Sequence, residues 1–250
     1  MKKAISIILA ALLLFGVSVS AFAENTDLPE ITTNEETTTE PTTEEESTQP
    51  STDAEEEKTE PEISDDPDEK VATLSICSCM STPVIAGHTY IYVQNLSDEP
   101  IEVGLYEVPV GQGVSLGTLS FSVYDGWGIY YNLETYREPR EGHIPQIWSK
   151  TIELDKSDLE KLDKKLDNFV NYWGLFFNCS FFAFSVWNNI SGDFLIPLVI
   201  PGLSHLVVRA VGEKGVLELY KSEPNQVFKQ RGTGKNAYLE PVGEKTLEIG

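Results

Sequence analysis

The sequence predicts an α+β domain in which an antiparallel sheet packs against a pair of helices. Residues 88–93, within "GHTYIYVQN", alternate between two faces, which indicates a strand. Apolar residues recur at helical spacing in residues 158–172 and again in residues 179–190. About 180 residues follow residue 70, which is enough for one domain with a substantial core.

The first 23 residues read as a secretory signal. Lys2 and Lys3 precede an apolar run, and "AFA" ends at Ala23 as a small-x-small cleavage site. The run is shorter than the ~20 residues that a spanning helix needs. We therefore expect cleavage after Ala23, no membrane span afterwards, and a secreted protein, free or held at a bacterial cell surface.

Residues 24–70 predict a disordered acidic linker. They hold 19 Asp or Glu against two Lys, with 11 Thr and five Pro, and almost no large apolar residue. Such a segment cannot bury enough apolar surface to offset its ordering entropy. The later residues are also net acidic, so neither part offers the basic patch that nucleic acid requires. We expect no nucleic-acid partner, and the pattern predicts neither a cofactor nor a metal site.

Turn residues divide the first half of the domain into strands. Residues 71–85 form a β-prone lead-in, and residues 88–93 and 101–108 predict a hairpin around the polar cluster at 95–100. Residues 114–123 predict a third strand and "DGWGIYYNLETY", residues 125–136, a fourth. A polar loop then leads to a short strand at 147–154.

Two helices follow, and they are the clearest elements in the sequence. Ser157 and Glu160 have the spacing of a capping box, and the apolar repeat predicts one helix over residues 158–172. A second helix begins near Cys179, runs to Ile190 and is closed by Gly192. Weaker strand patterns at 206–210 and 216–220 complete a domain over residues 71–223. Residues 224–250 are rich in glycine and charge, which predicts a flexible tail.

Cys179 is the candidate nucleophile. A thiol in the first turn of a helix faces unpaired backbone N–H groups and the positive end of the helix dipole, and both favour the thiolate. The other cysteines are Cys77 and Cys79. We expect a free Cys179, with a bridge from Cys77 or Cys79 to Cys179 as the alternative. Asn178 is expected to cap the helix, and the backbone N–H of Cys179 is the expected oxyanion donor.

His88 is the candidate general base. A thiol nucleophile needs a base within hydrogen-bond reach, and the sequence has three histidines. His143 and His205 fall in predicted loops, whereas His88 opens a predicted strand, where an imidazole can be held rigidly. The alternative is a structural strand histidine that makes one hydrogen bond.

Glu107 is the candidate third residue, which would orient the imidazole. If the hairpin turns between Leu96 and Asp98, opposed residues have numbers that sum to ~195, so that His88 faces Glu107. A slip in register would bring up another neighbour, and Glu102 is the other carboxylate on that strand. Glu107 as a solvated strand residue remains the alternative.

"GHTYIYVQN", a hairpin and then "NCSFFAFSVWN" together resemble the circularly permuted branch of the NlpC-type papain-like cysteine peptidases, which includes lecithin:retinol acyltransferase-like enzymes. The resemblance spans residues 87–190. It implies a permuted papain-like fold in which Cys179 is the nucleophile and His88 the base. It also implies a third polar residue on the strand after the histidine strand, and for exported relatives the bonds of cell-wall peptides as substrates.

The sequence thus predicts a secreted, monomeric cysteine hydrolase that acts on an amide or peptide bond of a peptide or cell-wall-like substrate. Two alternatives remain. One is an acyltransferase or lipid esterase on the same scaffold, which a groove lined by Phe and Trp beside Cys179 would favour. The other is a non-catalytic surface binding module, which a bridged Cys179 would favour.

Overall fold

The computed structural model describes residues 69–80, 87–119, 124, 127–169, 178–198 and 200–249. The predicted signal peptide, residues 1–23, and residues 24–68 of the predicted linker lie outside the described residues. So do residues 120–123 of the predicted third strand and 170–172 of the predicted first helix. Within the described ranges, no helix has the length and apolar character needed to cross a membrane.

Among the described residues, eight strands form one antiparallel sheet with helices packed on it, and this confirms the predicted α+β class. Its spatial order is β10-β9-β6-β5-β2-β1-β7-β8, and β3 and β4 form a separate two-stranded sheet. The strands are β1 (Ala72–Met80), β2 (Gly87–Asn95), β3 (Ile101–Val103), β4 (Tyr106–Val108), β5 (Gly113–Gly117), β6 (Tyr130–Tyr131), β7 (Trp148–Leu154), β8 (Glu213–Lys214), β9 (Phe228–Arg231) and β10 (Tyr238–Pro241).

The described α-helices are α1 (Leu133–Glu141), α2 (Lys156–Asp167), α3 (Cys179–Ile190), α4 (Pro201–Val211) and α5 (Glu244–Ile249). Short 3-10 turns occur at Ile144–Gln146, Pro224–Gln226 and Gly234–Asn236. The predicted strand at 147–154 and the predicted second helix from Cys179 to Ile190 are both confirmed. The first predicted helix begins two residues early, because Asp155 rather than Ser157 caps it by accepting from the Asp158 N–H.

The main core lies between the sheet and helices α2 and α3. Ile91 and Val93 alternate along β2 toward this core, and Phe182 and Val186 meet them from one side of α3. All four side chains are fully buried. This packing fixes α3 against β2, which is the relation that the candidate site depends on.

The predicted hairpin of residues 88–93 with 101–108 is wrong. β2 pairs with β1 on one side and with β5 on the other. Gly104 adopts a left-handed φ of 60° and reverses the chain within the predicted return strand, which therefore folds on itself as β3 and β4. Glycine supplies this conformation without steric cost.

Within the described part of the predicted fourth strand, residues 127–136, only Tyr130 and Tyr131 form a strand, β6; residues 125 and 126 lie outside the described residues. Asn132 then takes a left-handed φ of 64°, and α1 begins at the next residue. The predicted strand at 206–210 is also wrong, because these residues belong to helix α4, where Ser204, His205 and Val208 share the buried side. The region 216–220 forms no strand.

The described part of the predicted flexible tail of residues 224–250, which is residues 224–249, is instead part of the fold. Strand β9 pairs with β6 and extends the main sheet, and β10 pairs with β9. Val227 and Leu247 are buried and pack with Tyr130 and Leu133 in a second, smaller core. The segment is therefore held in the fold by its few buried apolar side chains, although most of its residues are polar or charged.

Candidate active site

Cys179 is the first residue of α3, at the position that the sequence predicts. The Asn178 side chain caps the helix by accepting from the backbone N–H groups of Ser180 and Phe181, at 3.0 and 3.2 Å. The cap fixes the first turn, so the Cys179 sulfur is held near the positive end of the helix dipole. The residue is buried, with 4% of its surface exposed.

His88 lies beside this thiol, in the first half of β2. Burial alone would lower the pKa of His88, but hydrogen bonding and charge interactions with Cys179 and Glu134 raise the pKa to about 10. Burial alone would likewise raise the pKa of Cys179, yet His88, the Thr89 backbone N–H and the Ser180 side chain lower the pKa below its usual value. These opposed shifts favour a thiolate–imidazolium pair.

The two ring nitrogens of His88 have different surroundings. Nε2–H donates to Glu134 Oε1 at 2.8 Å, and the Glu134 side chain is only 3% exposed. Nδ1 is buried and has no hydrogen-bond partner in the structure, although the interaction with Cys179 raises the pKa of His88. Catalytic hydrogen bonds are often long or poorly aligned before substrate binds. Glu134 therefore holds the ring and leaves Nδ1 to the sulfur.

Two features hold this carboxylate and ring in place. Gly117 on β5 leaves room for Glu134, because a Cβ atom at position 117 would collide with Glu134 Oε1. The Tyr90 ring stacks on the imidazole, with 5.6 Å between ring centroids and 23° between their planes. The third member of the site thus comes from α1, on the His88 side of the sheet.

The thiol occupies an opening in the sheet. β5 pairs with β2 only from Ile91 to Gln94, so the β5 side of Gly87–Tyr90 has no ladder partner in β5. The Thr89 N–H instead donates to the Cys179 sulfur. A strand N–H that would otherwise need a neighbouring carbonyl thus stabilises negative charge on the nucleophile.

Glu107, the predicted third residue, is not at the site. It lies exposed in β4 opposite Glu102, whereas the partner of His88 across the sheet is Cys79. The prediction failed because it assumed that residues 101–108 pair with β2. Glu102 is excluded from the His88 neighbourhood by the same register.

The other cysteines are free, as is Cys179. Cys79 donates to Glu138 Oε1 at 3.5 Å, one helical turn after Glu134, and the second oxygen of Glu138 lies 3.3 Å from His143 Nδ1. Burial raises the pKa of Cys79, and burial also raises that of Glu138 despite the opposing charges of His88 and His143. A buried thiol of raised pKa is a poor competitor for electrophiles.

The sequence pattern predicts a strand at Glu134 because aromatic and β-prone residues surround it in "GIYYNLETYR", residues 128–137. The same sequence also contains features that indicate a helix. Asn132 precedes a run of charged residues, and Arg137 and Glu141 have the i,i+4 spacing of a helical ion pair, which the structure contains at 2.8 Å. Reading that run as a helix would have placed Glu134 in its first turn.

The site brings together a thiol, an imidazole and a carboxylate, a set of groups that can support covalent acyl transfer. Among the described residues, no group of three or more His, Cys, Asp or Glu side chains is arranged to hold a metal ion. No protein-family model, no curated protein and no solved structure matches this chain.

Proposed function

We propose that the protein is a secreted cysteine hydrolase that cleaves an amide or peptide bond. The observation that carries this proposal is the linked set Cys179, His88 and Glu134, in which the thiol at a helix N-terminus meets an imidazole held by a buried carboxylate. Two buried ionisable groups whose pKa values shift in opposite directions because of each other are typical of catalytic pairs.

The reaction follows from the roles of these atoms. The Cys179 thiolate attacks the carbonyl carbon, and the carbonyl electron pair moves to oxygen. Imidazolium His88 then protonates the leaving amine, and the C–N bond breaks to give a thioester. His88 next takes a proton from water, the resulting hydroxide attacks the thioester, and the thiolate leaves with the carboxylic product released.

Glu134 and the helix end each have a separate role in this scheme. Glu134 keeps Nε2 protonated and directs Nδ1 to the sulfur, so the same nitrogen exchanges protons in both half-reactions. The backbone N–H of Cys179, in the first turn of α3, donates to the oxyanion, where the helix dipole also favours negative charge.

The substrate class is proposed from the resemblance to permuted NlpC-type peptidases. Exported enzymes of that kind cut cell-wall peptides, so peptide or cell-wall fragments are the first substrates to test. The permuted papain-like arrangement is part of the same proposal. Two observations support it. Strand β2, which bears His88, belongs to an antiparallel sheet, and helix α3, which bears Cys179, follows β2 in the chain.

Thiol labelling tests the nucleophile without knowledge of the substrate. Iodoacetamide should alkylate Cys179 at pH 7 at least ~10-fold faster than a free cysteine, because the thiolate is stabilised. Mass spectrometry should show loss of this fast label in Cys179→Ala and retention in the control Cys77→Ser. Equal labelling of Cys179 and free cysteine would contradict the proposal.

The pH profile of hydrolysis gives a second test. Activity should rise as Cys179 loses its proton, below the usual thiol range, and fall as His88 loses its proton near pH 10. The acid limb follows from the lowered pKa of the thiol, and the basic limb from the raised pKa of the imidazole. A profile with a single rise at the pKa of a free thiol would exclude the pair.

Substrate panels separate hydrolysis of peptides from acyl transfer. Cell-wall peptide fragments should be cleaved, while fluorescent acyl esters should react slowly and leave no transferred acyl group on added amines. A bridged Cys179 would favour the binding-module alternative, and all three cysteines are free.

A further inference from the structure

Helix α1 carries a second buried carboxylate, Glu138, one turn after Glu134. Glu138 is 6% exposed, and its Oε1 accepts a hydrogen bond from the Cys79 thiol at 3.5 Å. Its Oε2 is buried and lies 3.3 Å from His143 Nδ1, within ion-pair distance, but makes no hydrogen bond. Burying a carboxylate with so few donors costs stability, and groups of this kind are typical of functional sites.

Helix stability does not account for an acid at this position. Glu138 lies in the last turn of α1, where the helix dipole favours positive side chains over negative ones. Gly142 follows the helix with a left-handed φ of 72°, and the N–H groups of Gly142 and His143 both donate to the Glu138 carbonyl. This turn folds the chain back, so that the His143 ring meets the Glu138 carboxylate.

The pairing of β1 with β2 places Glu138 close to the His88 ring. Cys79 and His88 are direct partners across the two strands, so their Cα atoms lie about 4.5–5.5 Å apart. Glu134 contacts His88 and Glu138 contacts Cys79, so the two carboxylates meet adjacent members of one row of the sheet. Residues four apart on a helix are themselves neighbours. The charge of Glu138 is therefore near enough to act on the ring.

Ionisable groups from four segments surround Glu138. They are Glu134 on the same helix, Cys77 and Cys79 on β1, His88 and Tyr90 on β2, and His143 in the turn after the helix. Burial raises the pKa of Glu138, and the positive charges of His88 and His143 oppose this rise. The interaction is mutual, so an ionised Glu138 also stabilises the imidazolium form of His88.

This support matters most after the first half-reaction. In the free site, the interaction with Cys179 is one of those that raise the pKa of His88. In the proposed thioester, the sulfur is bonded to the acyl carbon and carries no charge. His88 must then take a proton from water, while the carboxylates of α1 still lie beside the ring. Negative charge close to an imidazole makes it a stronger base.

We propose that Glu138 is a positioning residue for thioester hydrolysis, in which its carboxylate stabilises the positive charge that His88 gains with a proton from water. The inference rests on the proposed function, since it concerns the same imidazole. The proton passes from water to His88 Nδ1, the hydroxide attacks the acyl carbon, and the Cys179 sulfur leaves as a thiolate. Glu138 neither gains nor loses a proton. Glu134 directs the ring through its hydrogen bond, whereas Glu138 acts through its charge.

The first test is the titration of His88 in a Cys179→Ala protein, which lacks the sulfur charge, as the thioester does, and needs no substrate. Histidine labelled with ¹³C and ¹⁵N gives ring NMR signals that report protonation, and His88→Gln identifies the signal of His88. The pKa of His88 should lie below that of the parent, because the interaction with the sulfur is lost. Adding Glu138→Gln should lower it further, by about one unit.

Glu141→Gln in the same Cys179→Ala protein is the matched control. Glu141 Oε2 also lies close to His143 Nδ1, at 3.2 Å, but the side chain is 37% exposed, so that solvent screens its charge. The pKa of His88 should therefore stay within about 0.3 unit. If Glu138→Gln moves this pKa no further than Glu141→Gln does, the inference is wrong. Should Glu138→Gln fail to fold, Glu138→Met removes the same charge at similar length and is judged by the same comparison.

Turnover of a peptide substrate gives a second readout. With Cys179 present, Glu138→Gln should slow thioester hydrolysis by about 3- to 10-fold, since the base is weaker. Intact mass spectrometry should then show more acylated Cys179 during turnover than in the parent, and Glu141→Gln should show no increase. A merely structural role would slow both half-reactions alike, so slower turnover without accumulation of the acyl-enzyme would overturn the inference.

The two proposals can fail separately. If Cys179 of the parent protein reacts with iodoacetamide no faster than a free cysteine, the proposed hydrolase is wrong, whatever the titration of His88 shows. If Cys179 reacts fast and Glu138→Gln leaves the titration of His88 unmoved, the hydrolase stands and the role of Glu138 is wrong.

Discussion

The two halves of strand β2 have the same neighbour on one side and different neighbours on the other. β1 pairs with β2 over its whole length, from Gly87 to Asn95. Residues 91–94 also pair with β5, and their inward side chains are Ile91 and Val93. Residues 87–90 have no β5 partner, and there the strand meets the Cys179 sulfur through the Thr89 N–H.

On the proposed mechanism, this difference lets one strand serve both stability and chemistry. Where the ladder is complete, backbone groups satisfy each other and the side chains form the core. Where it is open, a backbone N–H and a strand imidazole become available to a thiol. The rigid half fixes the position of the open half, because both belong to one extended segment.

The largest expected effect is that of His88→Gln in the open half. Loss of the imidazole removes the base and the positive partner of the thiolate, so hydrolysis should fall by about 10²- to 10⁴-fold. Rates on a peptide substrate and circular dichroism would be measured together. A native spectrum with full activity would show that the open half of β2 has no catalytic role.

Ile91→Ala tests the paired half and should affect stability instead. The side chain is fully buried in the main core, and its truncation should cost about 2–5 kcal/mol in the free energy of unfolding. Urea denaturation measures this loss. Cys179 alkylation in the folded variant should stay close to that of the parent, and a large drop would mean that the two halves are not separable.

Glu134→Gln should give a smaller loss, of about 10- to 100-fold in hydrolysis, because the ring remains but its orientation and protonation are no longer fixed. The basic limb of the pH profile should also move to lower pH, since a carboxylate that raises the pKa of His88 has been removed. Glu107→Gln is the matched control on an exposed strand and should leave rate and profile unchanged.

Gly117→Ala should have the smallest effect. The new methyl group would displace the Glu134 carboxylate, which we expect to reduce hydrolysis by about 3- to 10-fold and stability by about 1–3 kcal/mol. Kinetics and thermal melts would be compared with Gly243→Ala, since a Cβ at position 243 meets no atom within 4 Å. Equal effects of the two substitutions would show that Gly117 has no specific role in placing the Glu134 carboxylate.

The sequence predicts the local settings of the thiol and the imidazole, and the structure contains both settings. The apolar repeat after Cys179 predicts a helix that begins there, and Asn178 caps that helix as expected. The strand predicted to begin at His88 is present as part of β2. Both are local features, readable within about ten residues.

The orienting acid could not be found in the same way, since it depends on contacts between distant segments. Glu134 reaches His88 across 46 residues, and only the pairing of β5 with β2 and β6 brings α1 to that face. Glu107 follows from the assumption that strands adjacent in sequence pair in space. That assumption is wrong here, because Gly104 takes a left-handed conformation and β3 pairs with β4 instead of with β2.

The attachment of α1 also sets an order of assembly. Strand β9 pairs with β6 from its far side, and the Asn132 amide donates to the Gln226 carbonyl at 3.0 Å where α1 begins. During synthesis, Cys179 and His88 therefore emerge well before the segment that anchors the helix bearing Glu134. A nascent chain has its sulfur and imidazole early, but the orienting carboxylate gains its full support only once residue 231 has been made.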